Sequence, residues 1–311
     1  MDFQQLKIFL TVAALKSFSR AAEEMFISQP AVSVRIKGLE EELGAVLFDR
    51  SRARELTLTE AGREFLDYAQ QMVNLQDEAL ARLARVEEGT AVAGPVQLGA
   101  STVPGIYMLP SRLVALKQIH PGIAVNLSID DSARVLEKVL NYEVDLGFAG
   151  SQIQDERLQY YTFATDELVL ITPPGYFQPA PDAASPEGLP PISLEQCLSA
   201  NLILREKGSA TRDFFETALA QKKISLLDFA GVIYVDSLEA IKNSVRHGLG
   251  ISLVSRHSVE DYLLLRWVDG YRPEGLALTR RIYLVRHAGR VLSRAAKLTF
   301  KFFTAENTAF P

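Results

Sequence analysis

The chain has 311 residues, 48% of them hydrophobic and 23% charged, and its 38 acidic against 33 basic side chains leave a net charge of −5. That length sets a prior of about two domains with ample core, and the acidic balance excludes a bulk polyelectrolyte binder while leaving room for a small basic face. One cysteine, Cys197, excludes an internal disulfide framework and suits a buried apolar position in a reducing cytoplasm. The apolar run Ile8 to Leu15 follows Asp2 instead of a basic segment, and no stretch approaches the roughly 18 to 20 apolar residues of a membrane span. The expectation is a cytoplasmic protein without membrane contact.

The N-terminal stretch reads as two helices around a tight turn. Ser19 is placed to cap a short helix through Ala21, Ala22 and Met25, and Phe26-Ile27 break its pattern. Ser28 caps a second helix with Pro30 in the first turn, where a missing N–H costs nothing. This is a helix-turn-helix, whose second helix enters the major groove. On a helical wheel Val32, Ile36, Leu39 and Leu43 share one stripe and face the core. The free face carries Pro30, Ser33, Val34 and Lys37, with Gln29 and Arg35 on its flanks. Gln grips adenine, Ser bonds either kind of base edge, and Pro or Val meets a thymine methyl group. Arg35 and Lys37 suit phosphates. An amphipathic helix with a merely solvated face is the plainer alternative; the capped helix before it and the basic loop after it favour DNA.

That loop, Phe48 to Leu58, sets Arg50, Arg52 and Arg54 at alternate positions between apolar residues. It reads as a two-stranded wing with its arginines toward phosphates or the minor groove. Residues 1–58 hold 8 Lys plus Arg and 8 Asp plus Glu, so affinity must come from a local face. The trio Glu40, Glu41 and Glu42 reads as the solvated end of the helix.

The segments MDFQQLKIFLTVAALKSFSRAA, SQPAVSVRIKGLEEELG, LFDRS and LTLTEAG, at their spacing, resemble the winged helix-turn-helix of the LysR-type bacterial transcriptional regulators. The chain also has that family's length. The resemblance implies Gln29, Pro30, Ser33 and a wing arginine as DNA contacts, and Ser28, Val34, Arg35, Lys37, Arg50, Arg52 and Arg54 complete the expected face. Many members carry arginine or another polar residue at the place of Val34; here the arginine comes one position later.

Thr57 with Glu60 fits a capping box that opens a long helix. Its residues Ala61, Phe65, Tyr68, Met72, Leu75 and Ala79 recur at steps of four and three, slipping to Leu83 and Val86, a seam that implies a partner helix. A dimer would set two recognition helices on one pseudo-palindromic site; packing onto the protein's own body is the alternative. GTAVAGP, from Gly89 to Pro95, reads as a hinge.

Strand and helix signals then alternate: strand Val96–Ala100, helix Val103–His120, strand Ile123–Ile129, helix Ser132–Asn141 and strand Leu146–Ala149. A second series follows, with strand Asn201–Leu204, helix Ala210–Gln221, strand Gly231–Val235, helix Leu238–His247 and strand Ile251–Val254. The alternation argues for parallel sheets with crossover helices, and its repetition for two lobes. The family resemblance implies a fold similar to periplasmic binding proteins. The expected class is α/β: a winged helix-turn-helix over 1–58, a dimerising linker helix over 59–88, a hinge at 89–94 and a two-lobed effector domain over 95–311. Lobe I takes 95–163 and 267–303, and lobe II takes 164–266. Residues 173–191 hold seven of the 14 prolines and read as a surface excursion.

Ligands in such sheets sit beyond the carboxyl ends of the strands. Ser101-Thr102 precedes a helix in the first lobe, and the run REKGSATR, with Lys207, Ser209, Thr211 and Arg212, precedes another in the second. Hydroxyls and free N–H groups at helix starts make an anion site, with Lys207 or Arg212 adding charge; simple capping by Ser101 and Ser209 is the alternative. Asp130, Ser132 and Ser237 begin other helices at the same strand ends. By resemblance the cleft binds a small, often anionic co-inducer, and the REKGSATR run is similar to members linked to sulfur metabolism, selenium metabolism or carbon fixation. The resemblance also implies tetramers and autoregulation of a divergent promoter, where RNA polymerase is a further candidate partner. No catalytic or metal site is expected, because His120, His247, His257 and His287 fit no ligand spacing and read as surface or cap residues. A solute-binding protein and an enzyme working in the cleft are the competing classes; the missing export signal opposes the first, the missing nucleophile constellation the second.

Overall fold

The computed structural model describes residues 1–49, 56–83, 92–177 and 188–305. Three helices, α1 (Phe3–Leu15), α2 (Phe18–Glu24) and α3 (Gln29–Leu43), open the chain. Asp2 caps α1 in a reciprocal box with Gln5, and Ser28 caps α3 by accepting from the Ala31 N–H. The cap of α2 is Ser17, not Ser19: Phe18 is already helical, and its ring packs edge-on against Phe48 at 5.7 Å. Phe26 makes the turn tight by taking a left-handed backbone, φ 56°. Val32, Ile36 and Leu39 are buried with Phe9, Val12 and Phe48. Leu43 instead is 37% exposed, because Gly44 ends the helix in the left-handed region before that turn reaches the core.

Glu40 is not simply a solvated acid. Its Oε1 accepts from the backbone N–H groups of Leu47 at 2.8 Å and Phe48 at 3.2 Å, tying α3 to the next strand. The strands β1 (Phe48–Asp49) and β2 (Thr57–Leu58) pair antiparallel as the base of the wing; Arg50, Arg52 and Arg54 lie outside the described residues. The long helix α4 (Glu60–Leu83) is capped by Thr59, whose Oγ1 accepts from Gly62 at 2.9 Å, while Thr57 belongs to β2. Phe65, Met72, Ala69 and Val73 pack into the N-terminal core, so the expected partner seam is divided. Tyr68, Leu75 and Ala79 remain exposed. Positions 84–91, with Val86 and the first three residues of the expected hinge, lie outside the described residues.

The rest of the chain is a mixed α/β domain. Its first part runs β3 (Gly94–Ser101), a wide π-turn over Pro104–Met108, α5 (Leu109–Ile119), β4 (Ile123–Asp130), α6 (Ser132–Leu140) and β5 (Leu146–Ala149). The helix expected from Val103 begins as that wide turn because Pro104 and Pro110 have no N–H for an α-type ladder. There follow β6 (Leu158–Thr172), β7 (Pro191–Ile192), α7 (Leu194–Leu198), β8 (Asn201–Leu204), α8 (Ala210–Gln221), β9 (Gly231–Tyr234) and α9 (Leu238–Arg246). The chain closes with β10 (Ser252–Ser255), α10 (Glu260–Leu264), β11 (Asp269–Pro273), β12 (Thr279–His287) and α11 (Arg294–Ala305). Cys197 is buried, which pushes its thiol up to about 11.

Strands β4, β3 and β5 are parallel, as the alternation predicts, and β8 pairs parallel with β9. The long antiparallel strand β6 joins the halves: residues 158–167 pair with β12, and residues 168–172 turn to β10 and β11. On the lobe I side Phe148, Phe163 and Phe303 stack edge-to-face at 4.8 to 5.9 Å and fix α11 under the sheet.

His287 is not a surface residue as its sequence neighbours suggest. It is buried, its Nδ1 accepts from the Gly289 N–H at 3.1 Å and lies 3.0 Å from the Tyr142 hydroxyl. A backbone donor on Nδ1 fixes the neutral ring, and burial lowers its pKa; Asp67 and Asp155 oppose this, and Arg157 and Arg290 assist it. The unfolded chain therefore binds the extra proton, so stability is complete above pH 6.5 and is lost as pH falls below that value. The expected slope is up to about 1.4 kcal/mol per pH unit. Urea titrations at descending pH check this: His287→Asn should flatten the slope, and an unchanged slope would remove His287 from the acid response.

Candidate functional site

The first candidate surface is the outer face of α3. Gln29, Pro30, Val34 and Lys37 are exposed there, and Gln29 Nε2 donates to Ser33 Oγ at 2.9 Å, so two polar base-reading groups are presented as one preset unit. Ser28 sits at the helix start as its cap. Lys37 reaches Glu41 at 3.5 Å, a pair so exposed that it costs little to break for a phosphate. Arg35 turns to the other flank, 3.9 Å from Asp2, so the structure sets it beside α1 and away from the centre of the face.

The second is the cleft between the lobes. Its walls bring together Ser101, Thr102 and Ser132 from one side with Ser209, Thr211 and Arg212 from the other, at the carboxyl ends of β3 and β8. Neither Ser101 nor Ser209 acts as the side-chain cap considered for it. Ser101 closes β3, and Ser209 stands at the N-cap position of α8 without a hydroxyl bond into the helix. Ser132 is also no cap; Asp131 caps α6, and the buried Ser132 hydroxyl accepts from Gly150 N at 3.2 Å.

Three expected cleft residues are placed elsewhere. Asp130 is drawn away by Lys138, whose Nζ is 2.6 Å from its carboxylate. Lys207 is exposed and does not line the walls. Ser237 is spent on capping α9, where it accepts from Ala240 N. In their stead the cleft is lined by Asp131, Gly150, Arg205, Ser252, Ser255 and Arg280. Arg205 grips Glu206 bidentately at 2.7 and 2.8 Å, and Arg212 pairs with Glu216 at 2.6 Å beneath the Tyr234 ring. Ser252 and Ser255 carry no sequence mark, since their setting is created by strands brought from far along the chain. The cavity volume is about 30 Å³, space for only a few water molecules.

Among the described residues no group of three or more His, Cys, Asp or Glu is arranged to hold a metal ion. No helix among them is long and apolar enough to cross a membrane.

Comparison with known proteins agrees with this division. Residues 3–63 match the bacterial regulatory helix-turn-helix protein of the lysR family, and residues 89–308 match the LysR substrate binding domain. A probable RuBisCO transcriptional regulator of Thalassiosira pseudonana is 32% identical over 306 residues, covering 97% of this chain and 95% of the relative. Among solved structures, a full-length OxyR variant from Pseudomonas aeruginosa superposes with a TM-score of 0.68 at 22% identity, over 98% of this chain and 94% of the other. The regulatory domain of CcmR from Synechocystis, solved in complex with 2-PG, matches 70% of this chain and 99% of its own with a TM-score of 0.59 at 24% identity. This chain belongs to the LysR family of transcriptional regulators: it is a DNA-binding helix-turn-helix protein with an effector-binding domain, and not an enzyme.

Proposed function

We propose that this regulator reads a two-fold promoter site through α3 and the wing, and that a small anionic metabolite held between the lobes switches its DNA geometry. The observation that carries the reading is the convergence of Ser101 and Ser209, from opposite lobes, with both hydroxyls free of capping duty. The effector sites are Ser101, Thr102, Ser132, Ser209 and Thr211. The DNA contacts are Ser28, Gln29, Pro30, Ser33, Val34 and Lys37, with the wing arginines on the phosphates. The relatives' role in RuBisCO regulation and the 2-PG of the Synechocystis domain favour a carbon-fixation promoter and a compact phosphorylated or carboxylated effector.

The switch needs two conformations with different ligand affinity, because a ligand that binds both equally shifts nothing. With so small a cavity, a metabolite enters only when the lobes part, and β6 with β12 is the crossing about which they turn. Tyr68, Leu75 and Leu80, exposed along α4, supply the apolar face for a partner helix in a dimer, and dimers pair into tetramers. The protein works in the cytoplasm, at a promoter where RNA polymerase is within reach.

Gln29→Ala or Ser33→Ala is expected to weaken binding to the specific site by about 1 to 3 kcal/mol and to leave random DNA nearly unaffected. Equal losses on both duplexes, by anisotropy, would contradict base reading. Ser101→Ala combined with Ser209→Ala is expected to abolish the shift in DNA affinity that 2-PG produces. If DNA binding without any effector disappears instead, those serines are structural.

A further inference from the structure

We infer that Arg280 is the anion receptor of the cleft, held in position by Asp166, and that its Nη1 takes an oxyanion oxygen of the effector, carboxylate or phosphate. The inference deepens the cleft reading above and rests on it. Arg280 on β12 lies directly across from Asp166 on β6, and the two side chains are 4% and 0% exposed. Nε and Nη2 both stand 2.9 Å from Asp166 Oδ2, while Oδ1 receives the Ser255 hydroxyl at 2.5 Å. The carboxylate is thus fully engaged, and one edge of the guanidinium is fixed. Nη1 is different: it is buried and has no hydrogen-bond partner.

A buried guanidinium N–H without an acceptor is costly, and a fold keeps one where an acceptor arrives. The surroundings fit that use. Gly150, also in the cleft wall, leaves the approach open; a Cβ there would stand 3.4 Å from Nη1 and 3.1 Å from the Ala210 Cβ. Ala210 begins α8, a helix of 12 residues whose first turn has no side-chain cap, so its N–H groups face the same anion. The other arginines of the wall are committed, Arg205 to Glu206 and Arg212 to Glu216. Because Asp166 neutralises Arg280, the site selects by the direction of its N–H groups more than by net charge. Arg280 and Asp166 also sit on the strands that pass between the lobes, so a ligand on Nη1 acts at the crossing itself.

The test is ligand-induced thermal stabilisation of the full chain, with inorganic phosphate, acetate and 2-PG in separate arms. Arg280→Lys keeps the charge beside Asp166 and loses the fork. Gly150→Ala keeps the pair intact and crowds Nη1. Both are expected to bind the stabilising anion roughly 10- to 100-fold more weakly than the parent chain. The arm that responds tells phosphate from carboxylate. Parent-like affinity in both variants, together with lost binding in the Ser101→Ala/Ser209→Ala chain, overturns the role of Arg280 and leaves the cleft reading standing. Parent-like affinity in all three variants overturns both. A parent chain stabilised by none of the three anions overturns the anion receptor outright.

Discussion

Arg290→Leu is expected to cost the effector domain about 3 to 5 kcal/mol of stability, since it breaks a buried pair and leaves the other charge alone. Arg290 Nη2 meets Asp145 Oδ1 at 2.6 Å, and Nη1 donates to the carbonyls of Tyr142 and Val144 at 2.9 and 2.7 Å. Asp145 has a second duty, accepting from Gln97 N on β3 at 2.7 Å. One guanidinium therefore ties the loop after α6 and the segment before α11 to β3, an inner strand of the sheet. Calorimetry of the full chain should show the effector-domain transition lowered by on the order of 10 °C. The double variant Arg290→Leu/Asp145→Asn should lose less than the sum of the two singles, because it strands no charge. Additive losses would mean the pair contributes nothing as a pair.

The other large effect concerns Gly62. A Cβ at that position would lie 2.1 Å from the carbonyl oxygen of Leu47, a contact with backbone that no rotamer change relieves. Gly62, in the first turn of α4, abuts the segment leading into the wing, and Thr59 makes the same junction from its hydroxyl to the Val46 carbonyl at 2.6 Å. Gly62→Ala must push β1 and β2 off α4, at a cost of roughly 1 to 3 kcal/mol or more in the N-terminal unit. The expected result is a marked loss of DNA binding with an unchanged effector-domain transition. Normal DNA affinity in this variant would show that the wing's seat on α4 does not matter for docking.

Features written in a few neighbouring residues were legible without the structure. Ser28 ahead of Pro30 opens the recognition helix by local hydrogen bonding alone, whereas its end at Gly44 was not read and the helical wheel assigns Leu43 to the core. Strands followed by helices in both lobes were legible too, where period and turn residues suffice. What was not legible depends on partners far apart in the chain. β6 gives no clear alternation around Asp166-Glu167, because one of these acids is buried by Arg280, 114 residues away. The cleft residues divide in the same way: Ser101 and Ser209 follow from strand ends, whereas Asp130 was lost to Lys138 and Ser237 to its own helix. Arg280 looks like any arginine in a strand until its neighbours are in place.

The most direct measurement is fluorescence anisotropy of the full chain on the duplex upstream of its own gene, against a scrambled duplex, at two salt concentrations and with or without 2-PG. Tight, salt-sensitive binding to the upstream duplex alone, altered by 2-PG, is the predicted result. Equal and weak binding to both duplexes, indifferent to 2-PG, would contradict an effector-switched reader of that site.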